Sequence, residues 1–302
     1  MRARTTMTGL ALAAGLALSM VPAGLASAGA PSADRTTTSV VSHKAATTKA
    51  EQQRVEDYWT PARMKNAIPV GVKVNPNKGK PGGSTGGTAV AETPQPRFGK
   101  VFFTSGNSNY VCSGTATASS NGDVVTTAGH CVSDGGTIVS NFAFVPAYDN
   151  GNRPYGTWTA QELLTTSQWQ NGEDYDYDAA FVVMNENSLG QSLSDITAGG
   201  QPIAFNAPRG QTMKASGYPA ARPFNGQTLY SCTGVVVPDT YGGSTDQGLA
   251  CNMTGGSSGG GWIQNGSLSS VTSFGYTGVK NILWGPYFGT TIQNVFNTAQ
   301  GR

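Results

Sequence analysis

The chain reads DVVTTAGHC at residues 123–131. The first five residues of this stretch are rich in β-branched side chains and predict a strand. Ala128 and Gly129 then predict a tight turn. His130 and Cys131 follow the turn, and a disulfide at Cys131 could lock the loop beside the imidazole ring. The stretch therefore predicts a strand that ends in a covalently held histidine.

The chain from about residue 90 onward shows the same strand-forming pattern elsewhere. Short apolar or alternating runs recur between turns rich in glycine, asparagine and serine, as at residues 101–103, 141–145, 180–184, 234–237 and 270–274. This pattern is typical of an all-β sandwich or barrel. One helix is predicted near the C-terminus, over Thr291 to Gln300. About 210 residues suffice for one large or two small β-barrels with a real core.

The first 89 residues have a different character. Residues 1–30 have a charged start, a short apolar core and small-residue cleavage sites, which predict a secretory signal peptide. The apolar core is shorter than the roughly 20 residues that span a bilayer, so no membrane anchor is expected. Residues 31–89 are interpreted as a propeptide with a short helix over Glu51 to Ala67 and a flexible linker over residues 75–87. A disordered N-terminal extension is the alternative.

Four cysteines in an exported chain imply two disulfides, and three pairings are possible. Cys112 and Cys131 lie 19 residues apart, and so do Cys232 and Cys251. Sequential pairing would close two loops of similar size. A thiol–histidine metal site at His130 is the alternative, but the chain has no CxxC motif and no second histidine near it. No metal is therefore expected.

Charge is distributed unevenly along the chain. Residues 1–89 contain 11 basic and 4 acidic side chains, whereas residues 90–302 contain 8 and 13. The acidic C-terminal part argues against nucleic acid as a partner, because phosphate binding requires a basic face. The opposite signs predict that the leader region docks on the C-terminal part as an inhibitor or a folding aid, in an association that salt weakens.

A second motif, GGSSGG, lies at residues 255–260. Read as Gly-x-Ser-x-Gly it would make Ser257 the nucleophile of an α/β-hydrolase, but that family places its histidine after the serine, and none follows here. Read as Gly-x-Ser-Gly-Gly it makes Ser258 the nucleophile and fits the order histidine, acid, serine. The acid would come from EDYDYD at residues 173–178. A base, an acid that orients it and a glycine-flanked serine are what a serine hydrolase needs.

The motifs TAGHC and GxSGG, with Cys112 ahead of the first, resemble those of the trypsin/chymotrypsin-like serine peptidases, especially the secreted bacterial members, over about residues 90–302. The resemblance implies a fold of two six-stranded antiparallel β-barrels with a C-terminal helix. It implies a secreted, extracellular serine endopeptidase that acts on protein or peptide substrates as a monomer without a cofactor. The alternatives are a non-catalytic binding module on the same barrels and a secreted esterase with the same triad.

The resemblance also implies a role for each site residue. His130 corresponds to the general base and Ser258 to the nucleophile, and the backbone N–H groups of Gly256 and Ser258 correspond to the oxyanion hole. The family places its acid immediately before an apolar strand. This position selects Asp178, and Asp176 is the alternative.

Substrate contacts follow from the same resemblance. Residues 273–275 match the family's Ser-Trp-Gly strand, which pairs with the substrate backbone, and the base of the specificity pocket falls on the uncharged Asn252. The expected substrate-binding residues are Asn252, Met253, Thr272, Ser273, Phe274 and Gly275. A neutral or polar side chain is expected to fit. For Asp174 and Asp176, a solvated acidic face is favoured over a calcium loop.

One departure from the family bears on maturation. Ser257 stands where animal zymogens carry the aspartate that receives a new N-terminal ammonium. A serine cannot form that ion pair. Maturation is therefore expected to remove a segment ending near residues 82–98 without an ammonium–aspartate switch. Because the base must be neutral to act, a neutral to alkaline activity optimum is expected.

Overall fold

The computed structural model describes residues 40–77 and 87–302, so the predicted signal peptide lies outside the described residues. The strands are β1 (Val40–Lys44), β2 (Ile68–Pro69), β3 (Val72–Val74), β4 (Val90–Ala91), β5 (Phe98–Ser105), β6 (Ser108–Thr117), β7 (Val124–Thr127), β8 (Ser133–Asp134), β9 (Thr137–Ile138), β10 (Ser140–Pro146), β11 (Trp158–Thr166), β12 (Ala180–Met184), β13 (Thr212–Gly217), β14 (Tyr230–Val235), β15 (Val237–Pro238), β16 (Gln247–Ala250), β17 (Gly261–Gln264), β18 (Ser267–Val271), β19 (Phe274–Tyr276) and β20 (Ile282–Gly285). The α-helices are α1 (Lys49–Tyr58), α2 (Pro61–Asn66), α3 (Ser167–Gly172), α4 (Leu193–Ile196) and α5 (Thr290–Ala299).

Six strands between Phe98 and Met184 form a closed antiparallel barrel, the first barrel. Their order is β10-β5-β6-β7-β12-β11, and β11 pairs again with β10. A register shift in β11 between Ala160 and Glu162 interrupts its pairing with β12, and such bulges add the local bend that a closed sheet needs. Buried valine, phenylalanine and leucine side chains fill the interior, which matches the strands expected from the short apolar runs.

The strands from Thr212 to Gly285 form the second half of the fold. They lie in two sheets, with the orders β18-β17-β13-β14-β4 and β15-β16-β20-β19-β3. The chain passes from one sheet to the other at β14–β15, at β16–β17 and at β18–β19. The first and the last of these connections are short, as at the corners of orthogonally packed sheets. The predicted chymotrypsin-like architecture is confirmed. The predicted C-terminal helix is confirmed as α5, whose buried Ile292, Val295 and Phe296 pack on the core of the first barrel.

Residues 40–77, called the N-terminal segment below, pack on the first barrel. β1 extends the sheet by pairing with β11 from Val40↔Thr166 to Lys44↔Glu162. The single helix predicted over Glu51 to Ala67 is wrong, because the structure has two helices, α1 and α2. Pro61 explains the break, since proline lacks the N–H that a continuous helix would need there and is favoured at the first position of a new one.

The two short strands of the N-terminal segment have a different role from that of β1. β2 pairs in parallel with β6 of the first barrel, and β3 pairs in parallel with β19 of the second half. The segment therefore crosses from one half of the fold to the other. Within the described ranges, no helix combines the length and the apolar character needed to cross a membrane.

Candidate active site

His130 lies at the end of the strand that the sequence predicted. β7 ends at Thr127, and a short 3-10 turn over Gly129–Cys131 carries the imidazole, which is buried. Cys131 is joined to Cys112 of β6 by a disulfide of 2.10 Å. A Cβ at Gly129 would lie 2.7 Å from the Trp169 ring and 3.0 Å from Asp178 Oδ1. Glycine is therefore needed at this position for the histidine and the carboxylate to approach each other.

Asp178 contacts His130 through both carboxylate oxygens. Oδ2 lies 2.7 Å from His130 Nδ1, and Oδ1 accepts the backbone N–H of His130 at 2.8 Å. The Ser273 hydroxyl also donates to Oδ2. Asp178 is fully buried, and three short contacts fix its orientation. Such a carboxylate can hold the imidazole in one tautomer and stabilise it when it becomes charged.

Asp176 lies in a different place. Its carboxylate accepts the backbone N–H of Thr245 at 2.7 Å in a solvent-exposed contact. Asp246 follows on the same loop, and its carboxylate is buried without a hydrogen-bond partner among the described residues. Burial, and then the charges of Asp176 and Asp178, raise the pKa of Asp246. Asp246 was not singled out from the sequence.

The GGSSGG motif forms a tight loop that lies against Thr127 and Ala128, just before the turn that carries the histidine. Gly256 has a φ of 95°, in the region that favours glycine. The Ser257 hydroxyl donates to the carbonyl of Thr254 at 2.7 Å. The N–H of Gly259 donates to the carbonyl of Thr272 at 2.7 Å. These bonds hold the loop in shape through neutral groups, in the place where an aspartate would need an ammonium partner.

A peptide carbonyl of the N-terminal segment binds at this loop. The oxygen of Val70 accepts the N–H of Gly256 at 2.6 Å and the hydroxyl of Ser258 at 3.3 Å. His130 Nε2 is buried and has no hydrogen-bond partner in the part of the chain that the structure describes. The Ser258 hydroxyl is thus directed to Val70 and not to the imidazole.

The substrate-binding residues expected from the sequence all line one cleft of about 460 Å³ beside Ser258. These residues are Asn252, Met253, Thr272, Ser273, Phe274 and Gly275. Residues 69 and 71–73 of the N-terminal segment line the same cleft. Asn252 accepts the backbone N–H of Ala89 through Oδ1 at 2.7 Å. The side-chain oxygen of Asn252 is therefore already used by the residues that precede β4.

Both disulfides follow the sequential pairing, which the sequence left open. Cys112 pairs with Cys131, and Cys232 pairs with Cys251. The Cys112, His130 and Cys131 side chains are close together, but the disulfide leaves no thiolate to bind a metal.

Sequence reasoning missed two contributors to this site. Ser273 was expected only as part of a substrate-binding strand, and its hydroxyl bonds the carboxylate of Asp178. Val70 was not predicted, because it acts through its backbone carbonyl, which every residue type has. The run IPVGV at residues 68–72 is the one available signal, since it is a short apolar stretch directly before the linker.

Comparisons with known proteins identify the family of the chain. The family model described as Trypsin matches residues 84–297, and the chain belongs to this family of serine proteases. It is similar to the solved structure of protease Anisep from Arthrobacter nicotinovorans, with 49% identity over 71% of this chain and 100% of that one, and a TM-score of 0.68.

Two further structures are similar. A thermostable serine protease, AL20, from an extremophilic microorganism has 46% identity over 68% of this chain and 98% of that one, with a TM-score of 0.66. A Glu endopeptidase shares the fold at 23% identity, over 72% of this chain and 98% of that one, with a TM-score of 0.58. Curated proteins gave no match.

Proposed function

We propose that the chain is a secreted serine endopeptidase in which Ser258, His130 and Asp178 form the catalytic triad. The observation that supports this most directly is the contact at Val70, where one peptide carbonyl meets both the Gly256 N–H and the Ser258 hydroxyl. A nucleophile and an oxyanion donor must converge on the same carbonyl for acyl transfer.

The mechanism uses each group in turn. Ser258 attacks the scissile carbonyl while His130 takes its proton at Nε2, the ring nitrogen that has no hydrogen-bond partner among the described residues. Asp178 holds Nδ1–H and stabilises the charged ring. The N–H groups of Gly256 and Ser258 bind the oxyanion, and each such donor contributes roughly 3–4 kcal/mol of transition-state stabilisation. His130 then protonates the leaving amine, and water releases the acyl group.

The pocket favours an uncharged side chain in the substrate residue before the cleaved bond. Asn252, Met253 and Thr272 on its walls offer neutral polar and apolar surface. Similarity to the protease structures at 46–49% identity supports a peptide substrate. We propose that the enzyme works as a monomer and without a cofactor.

We further propose that residues 31–89 are a propeptide that is removed after export, with residues 1–30 as the signal peptide. The hydrogen bond from Ser257 to Thr254 supports maturation without an ammonium–aspartate pair, because it already holds the loop that carries Gly256. A blocked mature α-amine should therefore leave activity intact.

The test uses the processed protein and a fluorophosphonate probe, with two serine variants that differ by one position. Ser258→Ala should abolish labelling, whereas Ser257→Ala should still be labelled, and peptide mapping should place the label on Ser258. His130→Ala should prevent labelling of a folded domain. Cleavage of a peptide anilide would support an endopeptidase. Turnover of a simple ester alone would indicate the esterase, and no label on a folded domain freed of the N-terminal segment would indicate a binding module.

A further inference from the structure

The path of the N-terminal segment through the cleft has a definite direction. At its entry, Ile68 pairs with Tyr110 and Pro69 with Val111 of β6. The N–H of Val70 then donates to the carbonyl of Val111 at 3.1 Å. The segment therefore enters the site on the side of β6, next to the disulfide that holds His130.

The segment leaves the site along β19. Val72 pairs with Phe274 and Val74 with Tyr276, both in parallel. The carbonyl of Val74 accepts the N–H of Thr277 at 2.8 Å. From its N-terminal to its C-terminal end, the segment thus runs from β6, past Ser258, to β19.

A cleavable substrate has to run the other way. Its leaving amine must reach His130, which is tied through Cys131 to Cys112, the neighbour of Val111. The part after the cleaved bond therefore lies along β6, and the part before it lies along β19. Thr272 lies two residues before β19, and its carbonyl accepts the N–H of Gly259, the residue after the nucleophile. The residues before the cleaved bond then extend from there towards Tyr276, antiparallel to β19.

We propose that the N-terminal segment is a built-in inhibitor that occupies the substrate cleft in the reverse direction, and that a cut between the segment and the rest of the chain does not by itself release it. The inhibitory role of the segment rests on the proposed function, whereas its direction in the cleft does not. The direction follows from the parallel pairing with β19 and from the hydrogen bonds of the Val70 carbonyl to Gly256 and Ser258.

In the reverse direction the triad has no productive way to cut the segment. The amine that would leave from the Val70 carbonyl is the nitrogen of Gly71, which lies on the side of β19. On the side of His130 lies the Cα of Val70, and a carbon cannot act as the leaving group. His130 therefore has no amine to protonate. The Ser258 hydroxyl meanwhile donates its hydrogen bond to the Val70 carbonyl and not to His130.

Contacts far from the cleft hold the segment in place. β1 forms five residue pairs with β11, and Lys44 Nζ lies 2.6 Å from the buried Glu162 carboxylate. Trp59 is fully buried against Phe102, with ring centroids 5.3 Å apart, and its indole N–H donates to the carbonyl of Asn141 at 2.6 Å. None of these contacts depends on a covalent link through residues 78–86.

Cysteine pairs in the full chain carrying Ser258→Ala test the direction without any need for activity. Val72→Cys with Phe274→Cys should cross-link, whereas Val72→Cys with Tyr276→Cys should not. Lys73→Cys with Gly275→Cys, in the middle of the register, is the matched control and should cross-link in either direction. A cross-link to residue 276 in place of 274, or failure of the control pair, would overturn the proposal.

A second experiment tests release. The full chain receives a recognition sequence for a site-specific protease in place of residues 78–86. After the cut, the two fragments should co-elute, and fluorophosphonate labelling should be at least about tenfold slower than after separation by dilution. Full labelling immediately after the cut would refute the inference, as would a Ser258-dependent cut between Val70 and Gly71. If the separated domain were not labelled either, the proposed function would fail, while co-elution and the cross-links would still decide the binding direction.

Discussion

Trp59→Ala is expected to free the cleft after the linker is cut. Trp59 lies in the N-terminal segment, 0% exposed, and packs against Phe102 of the first barrel. Truncating a buried tryptophan to alanine costs about 3–5 kcal/mol, which includes the cavity that remains. If this cost falls on docking, the segment should dissociate about 10²- to 10⁴-fold more readily, since about 1.4 kcal/mol corresponds to a factor of ten.

The assay measures the rate of fluorophosphonate labelling at Ser258 against dilution of the cut precursor. Wild type should require much greater dilution than Trp59→Ala to reach half of the full rate. Ile68→Ala is the matched control, because Ile68 lies in the same segment but is 48% exposed. It should shift the midpoint by less than about tenfold. A Trp59→Ala midpoint within tenfold of wild type, on a precursor of unchanged fold, would refute the reasoning.

The remaining predictions concern residues 98–302. Asp178→Asn should lower kcat by about 10⁴-fold, whereas Asp176→Asn, at an exposed contact, should stay close to wild type in the same peptide assay. Gly129→Ala should lower activity strongly, because the new Cβ would lie 2.7 Å from the Trp169 ring, and the Ser258 labelling rate should fall with it. Burial lowers the pKa of Lys100 to about 7 from 10.5. The unfolded chain therefore binds more protons in that range, so stability should rise with pH above about 7. Urea unfolding at pH 7 and pH 10 should show this rise in wild type and not in Lys100→Met. An equal change in the free energy of unfolding between the two pH values in both proteins would contradict the prediction.

The strands and the histidine were predictable because they depend on local patterns. The run at residues 123–131 contains four consecutive β-branched residues and then two small ones, and it ends in a histidine and a cysteine. Each of these features has a local physical meaning. The break between α1 and α2 was also within reach, since Pro61 cannot continue a helix from Trp59. The apolar face over residues 51–67 favours one helix, but it continues across the proline that divides α1 from α2.

Other parts of the site had no local signal. The acidic run offers four carboxylates in similar local sequence. Only the fold separates Asp178, which is buried against His130, from Asp176, which is bonded at the surface. The charge difference between the two parts of the chain predicted docking through opposite charges. Most of the described contacts are instead strand pairing and apolar packing, with Lys44–Glu162 as a direct ion pair.

Most parts of the site are already in place, and one hydrogen bond is missing. His130 is held by Asp178, and the loop of Gly256 is shaped by bonds from Ser257 and Gly259. The bond between Ser258 and His130 is the missing element, and the Val70 carbonyl takes its donor. Activation by the proposed route therefore needs departure of the N-terminal segment, which frees the Ser258 hydroxyl from the Val70 carbonyl, while the bonds that shape the loop do not involve the segment. The rate of activation should follow the rate at which the segment leaves, so that substitutions at its distant anchors change latency while kcat of the freed domain stays constant.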